Sequence, residues 1–286
     1  MKNKFKTSCL KIYRNLSIKN KLVLLFCIQI IIPILFLSIT FFWKFTNIIK
    51  NNSIEYSTDI LKMIELRMED LNSNIDSISL QLIYDDNLYY FVKKNINSNN
   101  LTYYNYSSDT RNALRDTVLS RNEIQSVCVI NNNKNMIYYD YNNSSKSIKN
   151  ITNFDELYEK SKQANGQVLW QCEEINGEEY IFATRAIFDR DSFKSLGVIV
   201  FLIDKDYVSS VYKDLSEDSS NNISILSQEN KEIIGNASNL KYMKNFDEYS
   251  SENSKGNYID NDSDLLISFV TIESTNWKIV YHIPLN

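Results

Sequence analysis

Between Leu22 and Trp43 the chain reads LVLLFCIQIIIPILFLSITFFW, 22 residues without one charged side chain. As a helix rising 1.5 Å per residue, that length matches a hydrocarbon core of roughly 30 Å. Before it stand Lys2, Lys4, Lys6, Lys11, Arg14, Lys19 and Lys21 with no acidic residue, and after it only Lys44 and Lys50 follow closely. The positive-inside rule therefore expects the tail, residues 1–21, in the cytoplasm, a membrane helix over 22–43, and an extracellular remainder, 44–286. A cleaved signal peptide is the competing reading. Its apolar run would be shorter and would end on small residues, whereas this one ends on Phe41, Phe42 and Trp43. Pro33 is tolerated in lipid, where neighbouring groups re-satisfy the backbone.

The exported part is large enough to bury a core in one large or two smaller modules. Removing the seven basic residues of the tail from the 31 leaves 24 against 35 acidic, a net charge of −11. An acidic surface of that size repels phosphate backbones, which excludes nucleic acid as a partner. Cys128 and Cys172 are the only exported cysteines. They are either a disulfide or two buried thiols, and their apolar surroundings favour thiols.

From Ile54 through Leu61, Ile64, Met68, Leu71, Ile75 and Ile78 to Leu82, apolar residues recur at steps of three and four after a first gap of seven, with no glycine or proline from Phe45 to Tyr84. This predicts a long stalk helix over 44–84, continuous with the membrane span. Its stripe serves either as a zipper to a second copy, giving a homodimer, or as a spine for the domain that follows. The flanking positions carry few charges, which favours the spine.

Tyr84 to Tyr106 reads as mixed, with Asp85-Asp86 and Asn97–Asn100 as loops, and a short helix from a cap at Asp109 to Leu119, carrying Arg111, Arg115 and Arg121. Strands are expected at Ile124–Ile130 and Met136–Tyr141, then a helix at Phe154–Gln163 capped by Thr152 or Asn153. Strands follow at Val168–Cys172, Glu179–Phe188 and Leu196–Ile203. After a helical connector at Asp206–Leu215, a shorter copy of the order appears: Ile223–Ser227, Glu232–Gly235, a helix near Leu240–Tyr249, Asn257–Asp260, Asp264–Glu273 and Trp277–Ile283. The expected fold is α+β: two antiparallel-sheet modules, 85–205 distal to the membrane and 206–286 proximal to it, each a sheet ending in a meander with its helices to one side.

Three segments carry a family resemblance: Ser17-Ile-Lys-Asn-Lys21, Leu196-Gly-Val-Ile-Val-Phe-Leu-Ile-Asp204 and Asn276-Trp-Lys-Ile-Val-Tyr-His-Ile-Pro284. With the order of elements they resemble the double Cache (PAS-like) extracellular sensor domain, in particular the input half of YesM-like membrane histidine kinases. The resemblance implies a small extracellular ligand or peptide in the distal module, and a shift of helices that run to the cytoplasm. Members that bind amino acids hold the carboxylate with Arg-x-Trp-Tyr on the helix before the third strand and the amine with a later Asp. Here that helix reads Glu156-Leu-Tyr-Glu-Lys-Ser161, so Tyr158 stands for the Tyr without the Arg or Trp. The later position falls on Leu202, with Asp204 two residues on. An amino-acid ligand is therefore not expected.

The candidate pocket lies between sheet and helix, where Tyr138, Asp140, Tyr158, Trp170, Tyr180 and Arg185 converge and Asp204 joins them; otherwise these aromatics are core and the charged groups are solvated or mutually paired. His282 is the only histidine, and metal-binding, P-loop and paired C-x-x-C motifs are absent. No cofactor, metal or catalytic set is expected. Kinase activity would have to come from a region after residue 286. Two functions compete, a ligand-sensing receptor input region and a single-pass surface binding or scaffolding protein; an anchored hydrolase relying on His282 comes third.

Overall fold

The computed structural model describes residues 17–94, 101–141, 147–148, 154–175, 177–215, 222–235, 246–260 and 264–285. The expected cap at Thr152 or Asn153, the Asn97–Asn100 run and the first part of the expected Leu240–Tyr249 helix lie outside them.

Helix α1, Ile18–Tyr84, spans 67 residues. Its N-terminal stretch is long and apolar enough to cross a membrane, and its apolar side chains there are exposed. The Thr40 hydroxyl bonds the carbonyls of Phe36 and Leu37 at 3.0 and 2.9 Å, so this polar group is satisfied inside the helix, as an apolar solvent requires. The chain divides into two compact units at Glu55, and the larger, Tyr56–Asn286, holds both sheets.

In that unit Ile60, Leu61, Ile64, Met68, Leu71, Ile75, Ile78 and Leu82 are all buried. The stripe is the spine of the fold: these residues share one apolar cluster with strand residues of both sheets. Polar contacts fix its register. Ser57 and Ser268 hydroxyls meet at 2.6 Å, Arg67 donates to the Val211 carbonyl at 2.6 Å, and Glu69 accepts from the Ser274 N–H at 3.2 Å.

After α1 come α2 (Asp86–Lys93) and α3 (Leu101–Ser120). Here the sequence expectation is corrected. Asp85 accepts from the Leu88 N–H at 2.9 Å as the N-cap of α2, and Asp109 lies inside a 20-residue helix. The first sheet contains β1 (Ile124–Asn131), β2 (Met136–Asp140), β3 (Leu169–Ile175), β4 (Glu178–Phe188) and β5 (Ser195–Ile203), with α4 (Phe154–Gln163) between β2 and β3. The second contains β6 (Ile223–Leu226), β7 (Glu232–Ile234), β8 (Lys255–Asp260), β9 (Leu265–Thr271) and β10 (Lys278–Pro284). Helix α5 (Lys205–Lys213) connects the sheets and α6 (Phe246–Glu252) precedes β8.

The strand orders, β2-β1-β5-β4-β3 and β7-β6-β10-β9-β8, are the same pattern twice, all antiparallel. The last strand of each module returns to the centre beside the first. In the first sheet this needs Gly197: a Cβ there would lie 2.3 Å from the Ile130 carbonyl oxygen of β1. Helices cover both faces of the first sheet, not one. Even-numbered residues of β5 (Val198, Val200, Leu202) pack with Leu157 of α4, and odd-numbered ones (Ile199, Phe201, Ile203) pack with α1.

Candidate functional site

Strand pairing turns the first sheet's outer face, the one under α4, into rows. One row runs Asp140, Ser126, Leu202, Phe182, Gln171, and the next Tyr138, Cys128, Val200, Thr184, Leu169. Cys128, Phe182, Val198, Val200 and Leu202 form its apolar floor with Ile148 and Leu157, and Tyr138, Tyr158 and Tyr180 pack against it. Four of the seven expected residues, Tyr138, Asp140, Tyr158 and Tyr180, therefore share this face.

The Asp140 carboxylate closes one side, accepting from the Ser147 hydroxyl at 2.5 Å and the Ile148 N–H at 3.1 Å. Arg111 of α3 stands 6.0 Å from the centre of the Tyr138 ring. Tyr180 stacks on Phe182 with ring centres 6.3 Å apart, and its hydroxyl donates to Glu178 at 3.1 Å. Tyr158 donates its hydroxyl to Asn132, and the Lys162 ammonium lies 3.9 Å from the Tyr158 ring centre. At this end a cavity of 670 Å³ opens, lined by Ile130, Met136 and Tyr158 on its apolar side and by Asn132, Lys134, Asp155, Glu159 and Lys162 on its polar side. Lys134 bridges both Asp155 oxygens at 2.9 Å.

The other three expected residues do not join them, and each has a physical reason. Trp170 pairs with Ala183 in register and faces α1, where its indole N–H donates to Asn72 at 2.8 Å and its ring meets Trp277 edge-on at 5.5 Å. Arg185 also faces α1 and donates to the Asp76 carboxylate at 2.7 Å and the Ser79 hydroxyl at 2.9 Å. Asp204 is the N-cap of α5, accepting from the N–H groups of Asp206 and Tyr207 at 2.8 and 3.0 Å.

Sequence reasoning missed the polar groups of this face. Ser126 and Ser161 are fully buried, and neither hydroxyl has a hydrogen-bond partner among the described residues. Thr184 is buried with them and receives the Gln171 amide at 3.0 Å. Small hydroxyls at alternate positions among apolar ones were the available signal: Thr184 lies between Phe182 and Ala186 on one face. Cys128 and Cys172 are free thiols on opposite faces of the sheet. Burial pushes the Cys172 thiol up to about 12 and the Cys128 thiol higher still, so neither is a ready nucleophile. His282 is buried in β10, and burial lowers its pKa. Among the described residues no three His, Cys, Asp or Glu side chains converge as metal ligands.

No family profile and no curated protein sequence matches the chain. Solved structures do. The sensory domain of the Campylobacter jejuni chemoreceptor Tlp3, crystallised with isoleucine, is 15% identical with a TM-score of 0.59, over 84% of this chain and 95% of that one. The extracellular domain of a protein described as a histidine kinase, vpHK1S-Z8, is 11% identical at 0.57, over 82% and 95%. A domain of a sensory box/GGDEF family protein from Vibrio parahaemolyticus is 13% identical at 0.55, over 82% and 97%. The chain thus has the double Cache fold, two PAS-like antiparallel sheets on one long helix, as found in sensory domains of chemoreceptors and histidine kinases.

Proposed function

We propose that this chain is the extracellular ligand-sensing part of a membrane-anchored signal-transduction receptor, the input region of a two-component sensor histidine kinase. In this reading residues 1–21 are cytoplasmic, 22–43 cross the bilayer, 44–84 form the stalk, 85–205 the membrane-distal module and 206–286 the membrane-proximal one. The ligand lies on the outer face of the first sheet, with Tyr138, Asp140, Tyr158 and Tyr180 around it. A second copy packs along the side of α1 that exposes Tyr56, Met63 and Leu66.

The observation that carries the reading is an apolar floor with two buried hydroxyls, Ser126 and Ser161, that have no protein partner among the described residues, on a face where a cavity of small-molecule size opens at the Ile130 and Met136 end. Burying such groups costs about 1–3 kcal/mol each unless something pairs with them, and a small ligand with donors and acceptors does so. Tlp3 has been crystallised with isoleucine and with L-valine. This chain has no arginine on α4 to clamp a carboxylate, so the ligand is a small polar molecule held mainly by neutral hydrogen bonds and aromatic contact. Binding signals only by its differential affinity for the two receptor states.

The test is a thermal-shift screen of the full chain in lipid nanodiscs against sugars, polyols, small amides, nucleosides and organic acids. A ligand that binds the folded state at 100 times its Kd stabilises by about 2.7 kcal/mol, and Tyr158→Ala abolishes the shift. Failure of every class to raise the melting temperature contradicts direct sensing and favours a surface scaffold.

A further inference from the structure

The first sheet ends on β3 and the second on β7, two edge strands, and a crevice of 750 Å³ lies between β3 and the β6–β7 segment. Small-molecule sites occupy about 300–1,000 Å³. Glu173, Glu174 and Glu179 line it from the first sheet and Glu229 and Glu232 from the second, against Lys160 and Lys231. Lys160 is taken by Glu156 at 2.7 Å and Glu173 at 3.1 Å, and Lys231 by Glu229 at 3.0 Å. Glu179 meets Lys205, from outside the lining, at 3.3 Å. Glu174 and the half-buried Glu232 have no ion-pair partner among the described residues. Lys231 donates a hydrogen bond to Glu229, which raises its pKa, and Glu173 and Glu174 add smaller contributions from across the crevice.

An uncharged group points the same way. Gln171 lines the crevice at 7% exposure. The Thr184 hydroxyl gives its single proton to the Leu169 carbonyl at 3.3 Å and so accepts from the Gln171 amide nitrogen at 3.0 Å. That orients the amide and leaves Gln171 Oε1 as a buried acceptor without a partner among the described residues. Trp277, packed edge-on against Trp170, supplies apolar surface in the same lining. The acceptors are spread along the crevice and do not converge as metal ligands, a pattern suited to several ammonium groups joined by a carbon chain.

We propose that this crevice, at the β3 edge of the first sheet and apart from the cavity beside Tyr158, is a second binding site for a small linear polyamine. Its ammonium groups pair with Glu174 and Glu232, an N–H donates to Gln171 Oε1, and its methylenes lie against Trp277. Trp170 and Trp277 join the two sheets to each other, and Trp170 joins them to Asn72 of α1. A polyamine bound there braces both modules against the spine.

The test uses the full chain in nanodiscs at about 0.15 M salt, where non-specific attraction to the acidic surface is screened. Spermidine is titrated by calorimetry and by tryptophan emission. The proposal expects saturable one-to-one binding with an emission change, weakened at least about tenfold in Glu174→Gln/Glu232→Gln, the loss that one charge-assisted hydrogen bond accounts for. Glu252→Gln/Asp264→Asn, the same charge change elsewhere in the second module, keeps the wild-type affinity. Glu174→Gln alone, at an exposed position, repeats the test without risk to folding. Absence of saturable binding overturns the proposal, as does equal weakening in the two double variants.

Discussion

Asp189, 5% exposed, is a buried carboxylate ringed by donors. Lys93 lies 2.8 Å away, the Tyr89 hydroxyl donates at 3.1 Å, and the Ser192 N–H and hydroxyl donate at 2.8 and 2.9 Å. Chiefly through Lys93, these donors hold its pKa well below the usual carboxylate range. A depressed folded-state pKa contributes stability that is present above the unfolded value, about 3.9, and lost as pH falls from there toward the lowered one. Asp189→Asn is therefore expected to lower the melting temperature at pH 7 and to flatten its decline between about pH 4 and 2, measured by thermal circular dichroism. Arg185 is expected to serve stability alone. Its side chain is 11% exposed and tied to Asp76, so Arg185→Met should cost about 1–3 kcal/mol in denaturant unfolding and leave ligand affinity within twofold. A ligand affinity that collapses in this variant would return Arg185 to the site. The faces of β4 are legible in the sequence: Tyr180 and Arg185 are an odd number of residues apart, so on a regular strand they cannot face the same ligand. Parity cannot say which face carries α1, and the expected place of Trp170 fell on the wrong side for that reason. Asp204 followed the family's spacing, but an Asp just before Lys205–Lys213 is also a helix start, and capping its two N–H groups is what it does.

At the scale of elements, the stripe of α1 was readable because its spacing of three and four is uninterrupted and its charged neighbours are few. Its burial against both sheets makes it a spine. Met68, fully buried, should cost about 2–5 kcal/mol when replaced by Ala, whereas Leu119→Ala on α3, at 56% exposure, should stay within about 0.5 kcal/mol. Equal costs at the two positions in urea unfolding would contradict the spine. Helix α3 was foreshortened because the residues after Leu101, from Thr102 to Ser108, are Thr, Tyr, Asn and Ser, of low helix propensity. Its buried Thr110, Leu114 and Val118 are four apart, a periodic trace of its inner face. The doubled strand order was legible from repetition. The return of β5 and β10 to the centre of their sheets was not, because pairing between distant strands leaves no local mark except a residue such as Gly197, where two backbones come too close for a Cβ.

At the scale of the whole molecule, both sheets and α1 share one apolar cluster, so an event on either sheet loads the same helix. The proposed sensing role requires a ligand bound to the outer face of the first sheet. Hydrogen exchange of the full chain in nanodiscs, with and without the strongest stabilising ligand from the thermal-shift screen, measures this directly. Protection is expected in Met136–Asp140 and Phe154–Gln163, the segments that bear Tyr138, Asp140 and Tyr158, and in the central strand residues beneath them. Protection confined to the second sheet, or a bound ligand that leaves both segments exchanging at their free rates, would contradict a ligand site on this face.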